Sequence, residues 1–206
     1  MPKGPLIAFE GIDGSGKAAQ IGRLASALKS MGCDVAVFAY PDLQSRHGRI
    51  LNDYLKGELE LDEKTQLLTF AADIMKDQHE IARLLAKGNV VLLDRYVPST
   101  VAYQCAKGLP LFDAVRLFNM LQPIRPDVIV LIDVPPSVGV ARRKKAKGKR
   151  EKDVHDEDLA LQRKVRANYL KLCGMKWLSK NWACIDGRKT IPTIADEIKP
   201  LITKLL

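Results

Sequence analysis

The clearest chemistry in the sequence lies near its start, in Gly11-Ile12-Asp13-Gly14-Ser15-Gly16-Lys17, with the spacing G-x4-G-K. An apolar run of strand length, Leu6–Phe9, precedes it, and an apolar stripe at helical spacing (Ile21, Leu24, Ala25, Leu28) follows. In that setting the glycines let consecutive backbone N–H groups turn inward, and the helix N-terminus adds its dipole and free amides. The product is a nest for a triphosphate, with Lys17 supplying a mobile cation to the β- and γ-phosphates. The pattern normally ends in Ser or Thr, whose hydroxyl sits on magnesium, but here the position is Ala18. Magnesium must then keep an extra water or borrow another oxygen, so metal affinity is expected to change more than the fold.

Two further groups of residues bear charge in suggestive places. Asp94 and Arg95 directly follow the apolar run Val90–Leu93, and open α/β sheets bind ligands at the carboxyl ends of their strands. The run Arg142-Arg143-Lys144-Lys145-Ala146-Lys147-Gly148-Lys149-Arg150-Glu151-Lys152 is too self-repelling for a core. It is expected to be an exposed helix end and a mobile loop. Net charge is +9 and the isoelectric point near 9.4, which suits nucleotides and nucleic acids alike. Cys33, Cys105, Cys173 and Cys184, with His47, His79 and His155, have no metal-ligand spacing, so free thiols and no zinc site are expected.

The elements that must position these groups are legible from periodicity. Leu6–Phe9, Val35–Phe38, Val90–Leu93, Val128–Ile132 and, more weakly, Ala183–Ile185 are continuous apolar runs, the pattern of strands buried on both faces of a parallel sheet. Between them, Leu67–Leu85 reads as one long helix ended by Gly88. Leu111–Leu121, Leu159–Leu178 and Ile191–Leu205, the last bent at Pro200, read as others. Alternating strands and helices predict an α/β fold of the P-loop NTPase type: a five-stranded, mostly parallel sheet with helices on both faces and a basic lid. Residues 1–206 read as a single domain, with the lid at about 142–156. There is no apolar stretch long enough to span a membrane and no signal-like segment before the first strand, so a cytoplasmic protein without membrane contact is expected.

Several ordered segments together resemble the thymidylate kinase family over essentially the whole chain. They are Phe9-Glu10 with the glycine-rich loop, Tyr40-Pro41-Asp42 with Gly48 and Tyr54-Leu55, Phe70-Ala71-Ala72-Asp73, and Leu93-Asp94-Arg95-Tyr96 with Ser99 and Ala102-Tyr103-Gln104. A terminal Ile185-Asp186-Gly187 completes the series. The resemblance implies phosphoryl transfer from ATP, with Mg2+, to a nucleoside monophosphate, dTMP first. It implies that Gly11 through Ala18 hold ATP, that Arg95 grips the acceptor phosphate, and that Asp94 holds hydrated magnesium through water. It places Asp13 against the acceptor sugar, Phe70 under the base, Tyr103 and Gln104 on base or ribose, and Asp42 and Ser99 in the acceptor site. Some members carry a catalytic arginine inside the phosphate loop, where this chain has Gly14 and Ser15. Arg142, Arg143 and Arg150 are then expected to supply it from the lid. A homodimer is implied as well.

Where the family carries an arginine after the Pro-Asp pair this chain has Leu43, and where one follows the Phe70 position it has Ile74. Arg46 and Arg49 are near enough in sequence to replace the first; nothing obvious replaces the second. These departures, with Ala18, predict a shallow ranking among acceptor bases. They also keep open a weakly catalytic relative that binds nucleotides and acts through partner contacts. A nucleic-acid binder using the basic run is disfavoured, because the run has no interleaved aromatics. A solvated basic loop or a localisation signal is its plain alternative.

Overall fold

The structure, a computed structural model, describes residues 3–147 and 159–206. Its centre is a five-stranded sheet of β1 (Leu6–Glu10), β2 (Val35–Ala39), β3 (Val90–Asp94), β4 (Val128–Asp133) and β5 (Trp182–Asp186), in the order β2-β3-β1-β4-β5. Every described pairing is parallel, with Phe9 opposite Asp94 on one side of β1 and opposite Val130 on the other. The strand order therefore reverses at β1, and the crevice of an open α/β sheet opens above such a reversal.

Period-2 alternation divides the strand side chains between two apolar layers. Ile7, Phe9, Leu92, Val130 and Ile132 pack against α1 (Lys17–Ser30) and α9 (Ile191–Thr203). Leu6, Ala8, Val91, Leu93, Ile129 and Leu131 face the layer that includes α3 (Glu63–Met75), α4 (Gln78–Ala86), α5 (Val97–Ala106), α6 (Leu111–Leu121) and α8 (Leu159–Gly174). The continuous apolar runs arise from this two-sided burial. β2, at the sheet edge, is half-exposed along most of its length.

The predicted helix Leu67–Leu85 is two helices, because the chain turns at Lys76 and Asp77. Lys76 Nζ is held by Asp73, Asp77 and Asp42 at 2.9, 2.7 and 3.5 Å, and Tyr40 donates its hydroxyl to Asp77 at 3.0 Å. Apolar spacing runs through this break and cannot register it. The helix at 159 stops at Gly174 rather than continuing to Leu178, and Lys176 and Leu178 take left-handed backbone angles. Helices α2 (Arg46–Leu55) and α7 (Pro136–Lys147) complete the set among the described residues.

Helix α2 matters for the site because it roofs it. Ser45 caps it, accepting from Gly48 N–H at 2.9 Å, while Ser45 Oγ donates to Asp42 O at 2.8 Å. Gly48 lets this turn close: a Cβ there would overlap the Asp42 carbonyl. Gly48→Ala should therefore cost about 1–3 kcal/mol and lower the melting temperature by roughly 3–10 °C. A thermal unfolding curve that superimposes on the wild type would show that the turn relaxes freely.

Candidate active site

The glycine-rich loop joins β1 to α1. Gly16, at φ 104°, ends the loop, and the helix starts at Lys17. Lys17 is buried, and its ammonium donates to the carbonyls of Gly11 and Ile12 at 3.0 and 3.2 Å. Burial, and then the charge of Arg95, push its pKa down to about 8, so it remains a cation at neutral pH. Ala18 is exposed at the next position, and the Ser15 hydroxyl is buried without a hydrogen-bond partner among the described residues.

Arg95 links the sheet, the loop and helix α5. Its backbone is left-handed, at φ 67°, a conformation that non-glycine residues adopt at a cost of about 1–3 kcal/mol. The turn is tied down by its N–H, which donates to Phe9 O at 2.9 Å. The guanidinium then reaches Gly11 O at 3.1 Å, Ser99 Oγ and Tyr169 Oη at 3.3 Å, and pairs with Asp13. It lies 5.3 Å from the centre of the Tyr103 ring, and the Tyr103 hydroxyl donates to the other Asp13 oxygen at 3.2 Å. Desolvation would raise Asp13, but Arg95, Lys17 and Arg143 outweigh it and hold the carboxyl down to about 2.

Of the three basic-run arginines, Arg142 and Arg143 lie on α7, beside the loop. Arg142 spans from Ser15 O at 3.3 Å to Gly187 O at 2.8 Å, and Arg143 lies 3.6 Å from Asp13. The helix comes this close because two glycines face each other: a Cβ on Gly14 would overlap the Gly139 carbonyl, and one on Gly139 the Asp13 carbonyl. Arg150, and most of the lid predicted at about 142–156, lie outside the described residues.

A cavity of about 700 Å3 opens beside Arg95, within the range of small-molecule sites. Asp13, Arg95 and Ser99 line it, as do Phe70, Tyr103 and Gln104. Asp42 is not on the wall; its carboxylate pairs with Lys76, and its backbone N–H donates to Asp73 at 2.9 Å. Leu43 lines the cavity, whereas Arg46 and Arg49 are exposed on α2 and do not. Ile74 lines it too, as a core side chain 1% exposed. The sequence reading missed Thr100, Lys107 and Tyr169, none of which carries a motif signal. It also left Glu10 without a role.

Among the described residues no three carboxylate, histidine or cysteine groups converge on a metal position. Magnesium at nucleotides ordinarily takes one or two carboxylates plus phosphate oxygens and waters. Asp94, half-buried at the end of β3 and close enough for its charge to act on Lys17 and Arg95, fits that lesser requirement.

Beneath Arg95 lies the fully buried Glu10, which accepts from Tyr96 N–H at 2.9 Å and Ser99 Oγ at 2.5 Å. Burial raises its pKa from 4.5 to about 7, against the Ser99 hydrogen bond and the charges of Arg95 and Lys17. Between those pH values the folded state holds a proton that the unfolded chain has lost, so stability falls as pH rises through about 7. Above that pH the loss is on the order of 3 kcal/mol. Glu10→Gln should flatten this decline when unfolding in denaturant is compared at pH 5 and pH 8; equal slopes in the two proteins would contradict the assignment.

Comparison with known proteins places this geometry among relatives. The family described as Thymidylate kinase matches residues 9–198. A thymidylate kinase of Xanthomonas oryzae pv. oryzae (strain PXO99A) is 42% identical over 146 residues, covering 68% of this chain and 61% of its own length. One from Xanthomonas euvesicatoria pv. vesicatoria matches to the same extent. The chain thus spans about three-fifths of these Xanthomonas proteins. A relative from Pyrococcus abyssi, named "Probable thymidylate kinase", is 35% identical over 206 residues, covering 97% of this chain and 96% of its own. The glycine-rich loop, the Asp94-Arg95 strand end and the match across the sheet lead to one conclusion: the chain belongs to the thymidylate kinase family.

Proposed function

We propose that the chain is an ATP-dependent nucleoside monophosphate kinase that converts dTMP to dTDP. The observation that carries the reading is that the phosphate loop and Arg95 open onto one nucleoside-sized cavity, within a chain of this family. Phosphoryl transfer requires charge placed around the moving group rather than covalent chemistry, and the acceptor is already an anionic oxygen, so no strong general base is needed. Gly11 through Ala18 cradle the donor phosphates, and Lys17 leaves the carbonyls of Gly11 and Ile12 to meet them. Arg95 takes the acceptor phosphate beside Ser99. Asp13 faces the acceptor sugar, Phe70 supports the base, and Tyr103 and Gln104 border base or ribose. Arg142 and Arg143 flank the loop with positive charge, and Arg150 joins them from the lid.

Asp94 would hold Mg2+ through water, and the ion would neutralise charge developing on the phosphates. Ala18 offers it no hydroxyl. In the same reading residues 1–206 form one kinase domain that works as a cytoplasmic homodimer. No helix among the described residues is long and apolar enough to cross a membrane. Ala18 also favours a second reading, a nucleotide-binding relative of low turnover acting through partner contacts.

ADP release with dTMP, dUMP, dCMP and dGMP separates the two. Lys17→Ala should lower turnover by about a hundredfold or more while leaving the melting temperature near wild type; unchanged turnover would remove the loop from the chemistry. Ala18→Ser should tighten the apparent magnesium dependence, and superimposable magnesium titrations would show that position 18 does not matter. Neutralising Arg143 and Arg150 together should lower kcat well beyond any change in ATP affinity. A double variant with wild-type kcat would remove both arginines from the transfer step.

A further inference from the structure

The cavity beside Arg95 continues past the groups used above, and its far wall carries a cation that no acid balances among the described residues. Lys107 is the C-cap residue of α5 and lines the cavity together with Phe70, Ile74 and Gln104. Its ammonium donates to Tyr54 Oη at 2.5 Å and to Gln66 Oε1 at 3.0 Å, and sits 4.9 Å from the centre of the Tyr54 ring. No carboxylate pairs with it among the described residues, and burial alone pushes its pKa down to about 8. Gln66 has little left to give: its Oε1 also receives the Tyr54 hydroxyl at 2.8 Å, and its Nε2 donates to Leu61 O at 2.6 Å. An ammonium has three N–H donors, so one remains for whatever enters the cavity. Lys56 and Glu58, on the same wall, are exposed and stay hydrated.

One turn earlier on the same side of the helix stands Gln104, 1% exposed, whose Oε1 has no partner among the described residues. A buried acceptor without a partner is costly to the fold, so a ligand N–H that reaches it is favoured. An acceptor at 104 followed by a charged donor at 107 matches the edge of a 2,4-dioxopyrimidine, where a ring N–H lies beside a carbonyl. Cytosine presents a bare ring nitrogen beside an amino group, which sets acceptor against acceptor and donor against donor. Position also suits the assignment. Eight residues separate Ser99, beside Arg95, from Lys107, a rise of about 12 Å along α5, so a phosphate held at Arg95 and a base near Phe70 lie between them.

We infer that Lys107 is a specificity-determining residue that donates a charge-assisted hydrogen bond to a ring carbonyl of the acceptor base, so that the cavity selects 2,4-dioxopyrimidine nucleotides over cytosine nucleotides. This rests on the kinase reading and offers a polar reader for the base in place of the one that Ile74 does not supply.

The test is kcat/KM for dTMP, dUMP and dCMP in the wild type, Lys107→Met and Lys107→Arg, with unfolding curves for each. Lys107→Met should lose about tenfold or more on dTMP and dUMP, mainly through KM, with dCMP within about twofold. Lys107→Arg, which keeps a charged donor, should restore the preference. Should the Met variant fail to fold, Lys107→Gln serves, with a smaller loss in the same direction. An unchanged ranking of the three acceptors, even with all rates reduced, would make Lys107 only a clasp on Tyr54 and Gln66 and would overturn the inference. A wild type that phosphorylates none of them defeats the kinase reading instead. Calorimetric binding of dTMP and dCMP to wild type and Lys107→Met then decides Lys107 separately: loss confined to dTMP upholds it, and equal loss or none rejects it.

Discussion

The Arg95 guanidinium is the point on which the site depends, because one planar group joins three parts of the chain that are far apart in sequence. Its backbone continues β3, one N–H edge holds the phosphate loop through Gly11, and another pairs with Asp13. Through Ser99 and Tyr169 it is tied to α5 and α8. Glu10 lies beneath, buried and reached through the Ser99 hydroxyl. A cation so placed is desolvated, and only because acceptors surround it does the fold tolerate it there. The same acceptors set its orientation at the wall of the cavity. The left-handed turn at Arg95 is the local strain that this arrangement carries.

Much of this was legible beforehand, for identifiable reasons. Strands buried on both faces write themselves as continuous apolar runs, so all five were found with their centres in place and their ends short by one residue or so. The glycine-rich loop and the Asp94-Arg95 strand end were found because their chemistry is local in sequence. Less was visible where structure depends on polar contacts between distant segments. The break at Lys76 and Asp77 rests on Asp42 and Tyr40, more than thirty residues away, and Lys107 acquires its meaning only when Tyr54 and Gln66 close around it. Arg46 and Arg49 looked available by proximity in sequence, yet the capped turn at Ser45 leads them onto the exposed face of α2.

The cavity divides its work between two kinds of surface. Phe70 and Ile74 offer area and dispersion, which any flat ring can use. Discrimination must come from polar atoms held in fixed positions, and α5 supplies these along one face, from Ser99 to Lys107. Helix α3 lines the cavity with Phe70, Asp73 and Ile74, and α5 with polar side chains that include Ser99, Tyr103 and Gln104. The two helices pack directly on one another, so each fixes the position at which the other operates.

The contact between Gly14 and Gly139 has a consequence for how such a chain can diverge. Two backbones occupy the space that a side chain on either residue would need. An arginine cannot be introduced at position 14 while α7 stays where it is, and α7 cannot withdraw without releasing Arg142 from Ser15 and Gly187. The loop-borne and helix-borne placements of positive charge are thus alternative solutions separated by a steric barrier. Moving the charge from one placement to the other requires the loop and the helix to change together.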